Sequence, residues 1–263
     1  LDKYLGGKSD KYCSADTARN MAMASYQRAR ELSPETPLEH LFGLGVTCSL
    51  GKYGPERPDR KHLAFVSFQT HDTTYTFEAE IEHHDRHEEE ELVAQVSLQV
   101  IGVACGLEKP DWLHRNPGWF KSVKESEERP FNPLVYLLVN GLTQVTSIVI
   151  NPHALERPKV LLPGSFNPLH KCHLKMAQAS FEGAGGEATK GVPVDLEISV
   201  HNVDKPALNY YALNRRIEQI ITEVAGKPFI GQLYLTATPT FKQKSKLFCE
   251  TGQGVAFLVG QDT

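Results

Sequence analysis

The stretch Leu161-Leu-Pro-Gly-Ser-Phe-Asn-Pro-Leu-His-Lys-Cys-His-Leu-Lys-Met-Ala177 constrains the fold of this 263-residue chain more than any other. Lys159-Val-Leu-Leu162 is a short aliphatic run of the kind that fills a buried strand, and Pro163-Gly164-Ser165 marks a sharp exit. Leu169, Met176 and Ala177 then supply the apolar side of a helix predicted to begin near Pro168. A strand, a glycine turn and a helix start in this order belong at the carboxyl end of a strand in an open α/β sheet, where helix amides and the helix dipole favour an anion. His170 and His173 are three residues apart, so a helix over this stretch puts both imidazoles on one face beside that position. The pattern points to phosphate chemistry. Two satisfied surface histidines at a helix start are the plainer alternative.

Composition narrows the classes. Hydrophobic residues make up 40% and charged residues 23% of the chain, an ordinary balance for a globular protein with a sizeable core. The formal net charge is −4 and there is no basic block, which argues against general nucleic-acid binding and leaves any anion to local capture. No apolar run approaches the ~20 residues of a membrane span, and the start does not resemble a signal peptide. Cys13, Cys48, Cys105, Cys172 and Cys249 are odd in number and form no C-x-x-C pair. That usage points to an intracellular, reducing compartment, cytoplasmic or organellar, and against a zinc site.

Along the chain, Ser14 is placed to cap a helix whose face is Ala18, Met21, Ala22, Ser25, Tyr26 and Ala29. Phe42 to Cys48 predicts a buried strand, followed by a Gly/Pro-rich loop from Ser49 to Arg60. His62 to Thr70 and Thr74 to Ile81 predict a hairpin, with Tyr75, Phe77, Ala79 and Ile81 alternating with polar residues. A long helix is predicted over Asp85 to Cys105, its Glu88 to Glu91 run complementing the helix dipole as a solvated start. His83, His84 and His87 lie beside it without a third spaced ligand, so no metal site is expected. Glu108 to Pro133 holds four prolines and a charged run, and is predicted to be a linker between domains at 1–107 and 134–263. Beyond it, Leu134 to Asn140 predicts a short helix and Gln144 to Ile150 a strand before the glycine turn; after the turn, strands at Val194 to Val200, Gln232 to Thr236 and Val255 to Val259 alternate with helices at Leu208 to Val224 and Phe241 to Phe248. This alternation predicts a parallel sheet. The glycine-rich Glu182 to Pro193 stretch is predicted to be a loop.

Gly164-Ser-Phe-Asn-Pro-Leu-His170-Lys-Cys-His173 resembles the G-x-F-x-P-x-H-x-G-H signature of nucleotidyltransferases, the superfamily that includes nicotinamide and nicotinate mononucleotide adenylyltransferases. Cys172 stands where that signature has glycine. The resemblance extends to Asn202-Val-Asp-Lys205-Pro and Gly260-Gln-Asp262 at later strand ends. It implies a Rossmann-like domain that transfers the adenylyl group of ATP, with Mg²⁺, to a mononucleotide. The resemblance also implies that His170 and His173 act on the triphosphate, that Gly164, Ser165, Phe166 and Asn167 line the nucleotide with Lys205, and that Asp262 holds ribose or base. Lys242 and Lys244 are further candidate cations. The family continues past a strand like the last one here with an Ile-Ser-Ser-Thr-x-x-Arg segment, so this domain is expected to be incomplete at its carboxyl end.

The first region is similar, less specifically, to the nicotinamide-nucleotide amidase domain found at the carboxyl end of competence-damage-inducible proteins. The similarity rests on the order of a helix, the Gly45-Val-Thr47 strand end, a Gly/Pro loop, a hairpin and an Asp85-Arg86-led helix. It implies an α/β amidase-like pocket with Thr47, Ser49 and Arg86. The family's serine-bearing motif has no counterpart in residues 1–13, so deamidation of nicotinamide mononucleotide is not expected. Three readings of the whole follow: an adenylyltransferase of pyridine-nucleotide metabolism acting on a nucleotide substrate; a degenerate nucleotidyltransferase fold serving as a structural subunit of a larger assembly or homo-oligomer; and cytidylyl transfer, less favoured because Asn202 to Pro206 and Gly260 to Asp262 look more like the pyridine-nucleotide branch. If the histidines act as cations, nucleotide affinity should fall from pH 6 to pH 8.

Overall fold

The computed structural model describes residues 1–52, 59–82, 84–152, 159–201, 205–249 and 254–260. Within them the chain is mixed α/β, with two sheets and seven α-helices. It divides into two compact units, Leu1–Pro130 with Asp204–Tyr211, and Phe131–Val203 with Ala212–Thr263. His83, Asn202 to Asp204, Gln261 and Asp262 lie outside the described residues.

The first unit is an antiparallel sheet between helices. Strands β1 (Gly43–Ser49), β2 (His62–Gln69), β3 (Thr74–Ile81) and β4 (Phe120–Glu128) lie in sequence order. Helix α1 (Ala15–Leu32) opens with the Ser14 hydroxyl accepting the Thr17 amide at 3.2 Å, as the sequence predicts. It presses its backbone onto β1, where a Cβ on Gly43 or Gly45 would stand 2.1 Å from the Ala22 or Ala18 carbonyl oxygen. Only glycine permits that approach. Helix α2 (Arg86–Ala104) brings Leu92, Val93, Val96 and Val100 into a core with Val66, Phe77, Ile81, Trp112 and Phe120. Trp112 comes from the short helix α3 (Trp112–Arg115).

Three expectations change here. The hairpin is buried on both faces rather than one, because Thr74 and Thr76 face inward and Thr76 accepts a hydrogen bond from the buried Arg19 Nε at 3.0 Å. Residues 108–130, read as linker, carry α3 and β4. Strand β4 escapes a hydrophobic reading because it is an edge strand, which leaves most of its Lys-Glu-Ser side chains at least partly in solvent. Within the Glu88–Glu91 run, Glu89 is fully buried, a correction to the reading of all four as solvated.

The second unit carries the strand–turn–helix motif. After α4 (Pro133–Val139), capped by Asn132, come β5 (Val145–Ile148), β6 (Val160–Pro163), α5 (Lys171–Phe181), β7 (Val194–Ser199), α6 (Tyr210–Val224, of which Tyr210 and Tyr211 belong to the first unit), β8 (Ile230–Thr236), α7 (Phe241–Cys249) and β9 (Ala256–Phe257). The strand order is β5-β8-β7-β6-β9. Strands β6 to β9 are parallel, as the alternation predicts, whereas β5 runs antiparallel on the β8 edge. From β6 the chain builds outward through β7 and β8, then returns to the other side of β6 for β9. The order therefore reverses at β6, and its carboxyl end is the switch point where ligands of such sheets sit.

Candidate functional site

Gly164 to His173 leave the carboxyl end of β6 at that switch point. The Gly164 amide is already engaged, donating to the Glu197 carbonyl of β7 at 2.9 Å, so the turn is fastened to the sheet instead of offering this amide to a ligand. Phe166 folds back beneath the turn, 1% exposed and with φ at +39°. A Cβ on Gly164 would lie 2.6 Å from its ring, which is why the turn takes glycine. The Phe166 ring meets His173 edge-on at 5.1 Å and 87°, and the Asn167–Pro168 peptide is cis.

The helix begins three residues later than the sequence reading placed it. His170 is its N-cap, with Nδ1 accepting the Cys172 amide at 3.3 Å, while His173 Nδ1 accepts the His170 amide at 3.2 Å. A ring nitrogen that accepts a backbone N–H carries no proton, so each ring bears its hydrogen on Nε2. The imidazoles, 3.8 Å apart between centroids, thus occupy amides that a bound anion was expected to take. They present two neutral Nε2–H donors in their place. Burial, followed by the neighbouring His170, holds the His173 pKa below the ordinary value. Ser165, Asn167 and Cys172 are exposed on the same segment.

Beneath the turn lies a buried ion pair. Lys244 Nζ donates to Glu197 Oε2 at 2.6 Å, and the Thr236 hydroxyl donates to Oε1 at 2.5 Å. Burial raises the Glu197 pKa, and Lys244 and Thr236 oppose the shift. Lys244 is thereby committed to the sheet and drops out as a candidate for ligand charge, whereas Lys242 is exposed. Lys205 is exposed within the first unit. Asp262 lies outside the described residues. The cation that the structure does place at the turn is Arg216 of α6, whose Nη1 donates to the Ser165 carbonyl at 3.2 Å. Its only sequence signal is a basic residue bordering the apolar stripe of Leu213, Ile217 and Ile220.

In the first unit, Thr47 spends its hydroxyl on the Tyr12 carbonyl at 2.9 Å, and Ser49 Oγ accepts from Arg60 at 3.3 Å. Arg86 donates to the Gly51 carbonyl at 3.0 Å and to Glu90 at 2.7 Å. The buried Glu89 gathers this corner: one oxygen takes His62 Nδ1 at 2.5 Å and the His84 amide at 3.2 Å, the other the Gly51 amide at 2.7 Å. Ser49 and Arg86 therefore converge on the same segment, but through contacts that hold it in place.

No family model, curated protein or solved structure matches this chain. Among the described residues, no group of His, Cys, Asp and Glu could hold a metal ion, and no helix is long and apolar enough to cross a membrane.

Proposed function

We propose that the second unit is a Rossmann-like nucleotidyltransferase domain that binds ATP at the Gly164–His173 turn and transfers its adenylyl group to a mononucleotide, nicotinamide or nicotinate mononucleotide being favoured. The observation that carries the reading is the placement of the paired histidines, as neutral Nε2–H donors on a helix start, at the carboxyl end of the strand where the sheet order reverses. Adenylyl transfer requires no covalent nucleophile: the acceptor phosphate attacks the α-phosphorus and pyrophosphate leaves, so donors aimed at developing charge carry much of the catalysis. His170 and His173 supply such donors. Mg²⁺ commonly keeps several waters and rides on substrate phosphates, so we read it as part of the ATP complex; among the described residues no ligand cluster is found for it. The first unit is read as an amidase-like domain whose Thr47, Ser49 and Arg86 are structural.

One observation favours a second reading, a degenerate fold in a larger assembly: the Gly164 amide and two amides of the helix start are already bonded within the chain. Calorimetry with ATP and Mg²⁺ on the wild type and the His170→Ala, His173→Ala double variant separates the two, alongside pyrophosphate release with nicotinamide mononucleotide. Histidine-dependent binding with release is expected. Binding without release favours a degenerate nucleotide-binding subunit, and no histidine-dependent binding removes the nucleotide reading of the turn.

A further inference from the structure

Arg216 is a half-buried guanidinium with too few partners. Of its five N–H donors it uses one, on a neutral backbone carbonyl, and no carboxylate pairs with it among the described residues. The buried Arg19 is held differently: it meets Asp16, Glu78, the Thr76 hydroxyl and the face of Tyr211. A partly desolvated charge without a counter-ion is costly, and a chain tolerates it most readily where a counter-ion arrives from outside. The carbonyl that Arg216 holds belongs to Ser165, in the turn between Gly164 and the histidines.

We infer that Arg216 is the counter-charge for the phosphate of a nucleotide bound at the Gly164–His173 turn, its planar fork engaging phosphate oxygens while one arm keeps the turn in place. This rests on the nucleotide reading of the turn and adds to it the residue that meets the ligand's charge. Burial lowers the Arg216 pKa, yet a guanidinium stays protonated at neutral pH and so remains a fixed cation. Guanidinium geometry suits two phosphate oxygens at once, which an ammonium cannot match.

The test compares wild type, Arg216→Met, Arg216→Lys and the double histidine variant by calorimetry with ATP, with nicotinamide mononucleotide and with adenosine. Arg216→Met is expected to weaken one or both phosphate-bearing ligands about 10- to 100-fold, the loss typical of a hydrogen bond to a charged group, and to leave adenosine unchanged. The ligand that weakens identifies whose phosphate is held. Arg216→Lys should recover part of the loss. Without ligand, Arg216→Met should melt no lower than the wild type, since it removes a charge that the protein leaves unpaired. Histidine-dependent ATP binding together with ATP and nicotinamide mononucleotide affinities that are both unaffected by Arg216→Met overturns this inference alone, as does a lowered melting temperature with unchanged affinities. Absence of any nucleotide binding by the wild type overturns the underlying reading with it.

Discussion

At the scale of single residues, two acidic side chains among the described residues of the second unit are pushed up by burial, and one of the two has a cationic partner. Glu197 has Lys244. Asp195, 4% exposed, has only the Gln232 amide at 2.5 Å among the described residues, and burial raises its pKa to about 7. A carboxyl raised in the folded state contributes stability that is complete below its unfolded value and lost as pH rises through the folded one. Between pH 3.8 and about 7 the loss attributable to Asp195 is on the order of 4 kcal/mol at 1.36 kcal/mol per pH unit. Asp195→Asn should flatten this part of a denaturant-derived stability profile and make the protein more stable than wild type at pH 8. An unchanged slope between pH 4 and pH 7 would sink the assignment.

At the scale of elements, α5 depends on its two imidazole caps, and both require unprotonated Nδ1. A histidine with a depressed folded pKa contributes stability present above about pH 6.5 and lost as pH falls through the folded value. Proton NMR should therefore give His173 a midpoint below 6.5, with the His170 amide shifting at that same midpoint. A midpoint at or above 6.5, or an amide that ignores it, would contradict the capping geometry. Hydrophobic spacing made most elements legible in advance, Tyr75, Phe77, Ala79 and Ile81 in β3 being the clearest case, and the glycine turn declared its strand and helix. Spacing could not reveal β4, because an edge strand needs few apolar residues. Nor could it reveal Glu89 or Arg216, whose surroundings come from residues 27 and 51 positions away. The caps were hidden for a different reason: H-x-x-H reads the same whether its nitrogens face a ligand or the helix backbone.

At the scale of the whole molecule, the division into units does not follow the sequence order. Asp204–Tyr211 belongs to the first unit although the second unit's sequence surrounds it. Tyr210 is fully buried there, donating its hydroxyl to the His71 carbonyl at 2.5 Å and its amide to the Thr74 hydroxyl at 3.0 Å. Tyr210→Ala should destabilise the first unit by about 3–5 kcal/mol, the usual cost of deleting a buried aromatic side chain. Urea denaturation followed by hydrogen exchange at β2 and β3 amides would register it, and a change under 1 kcal/mol would show the segment to be peripheral. The same arrangement sets an order of events during synthesis. A ribosome has delivered all four strands of the first sheet once residue 128 emerges, yet Tyr210, 139 positions after His71, has still to be made. The amino-terminal unit must therefore wait, incompletely buried, through translation of β5, β6, α5 and β7, and a nascent chain stalled before residue 210 exposes the surface that this tyrosine later covers.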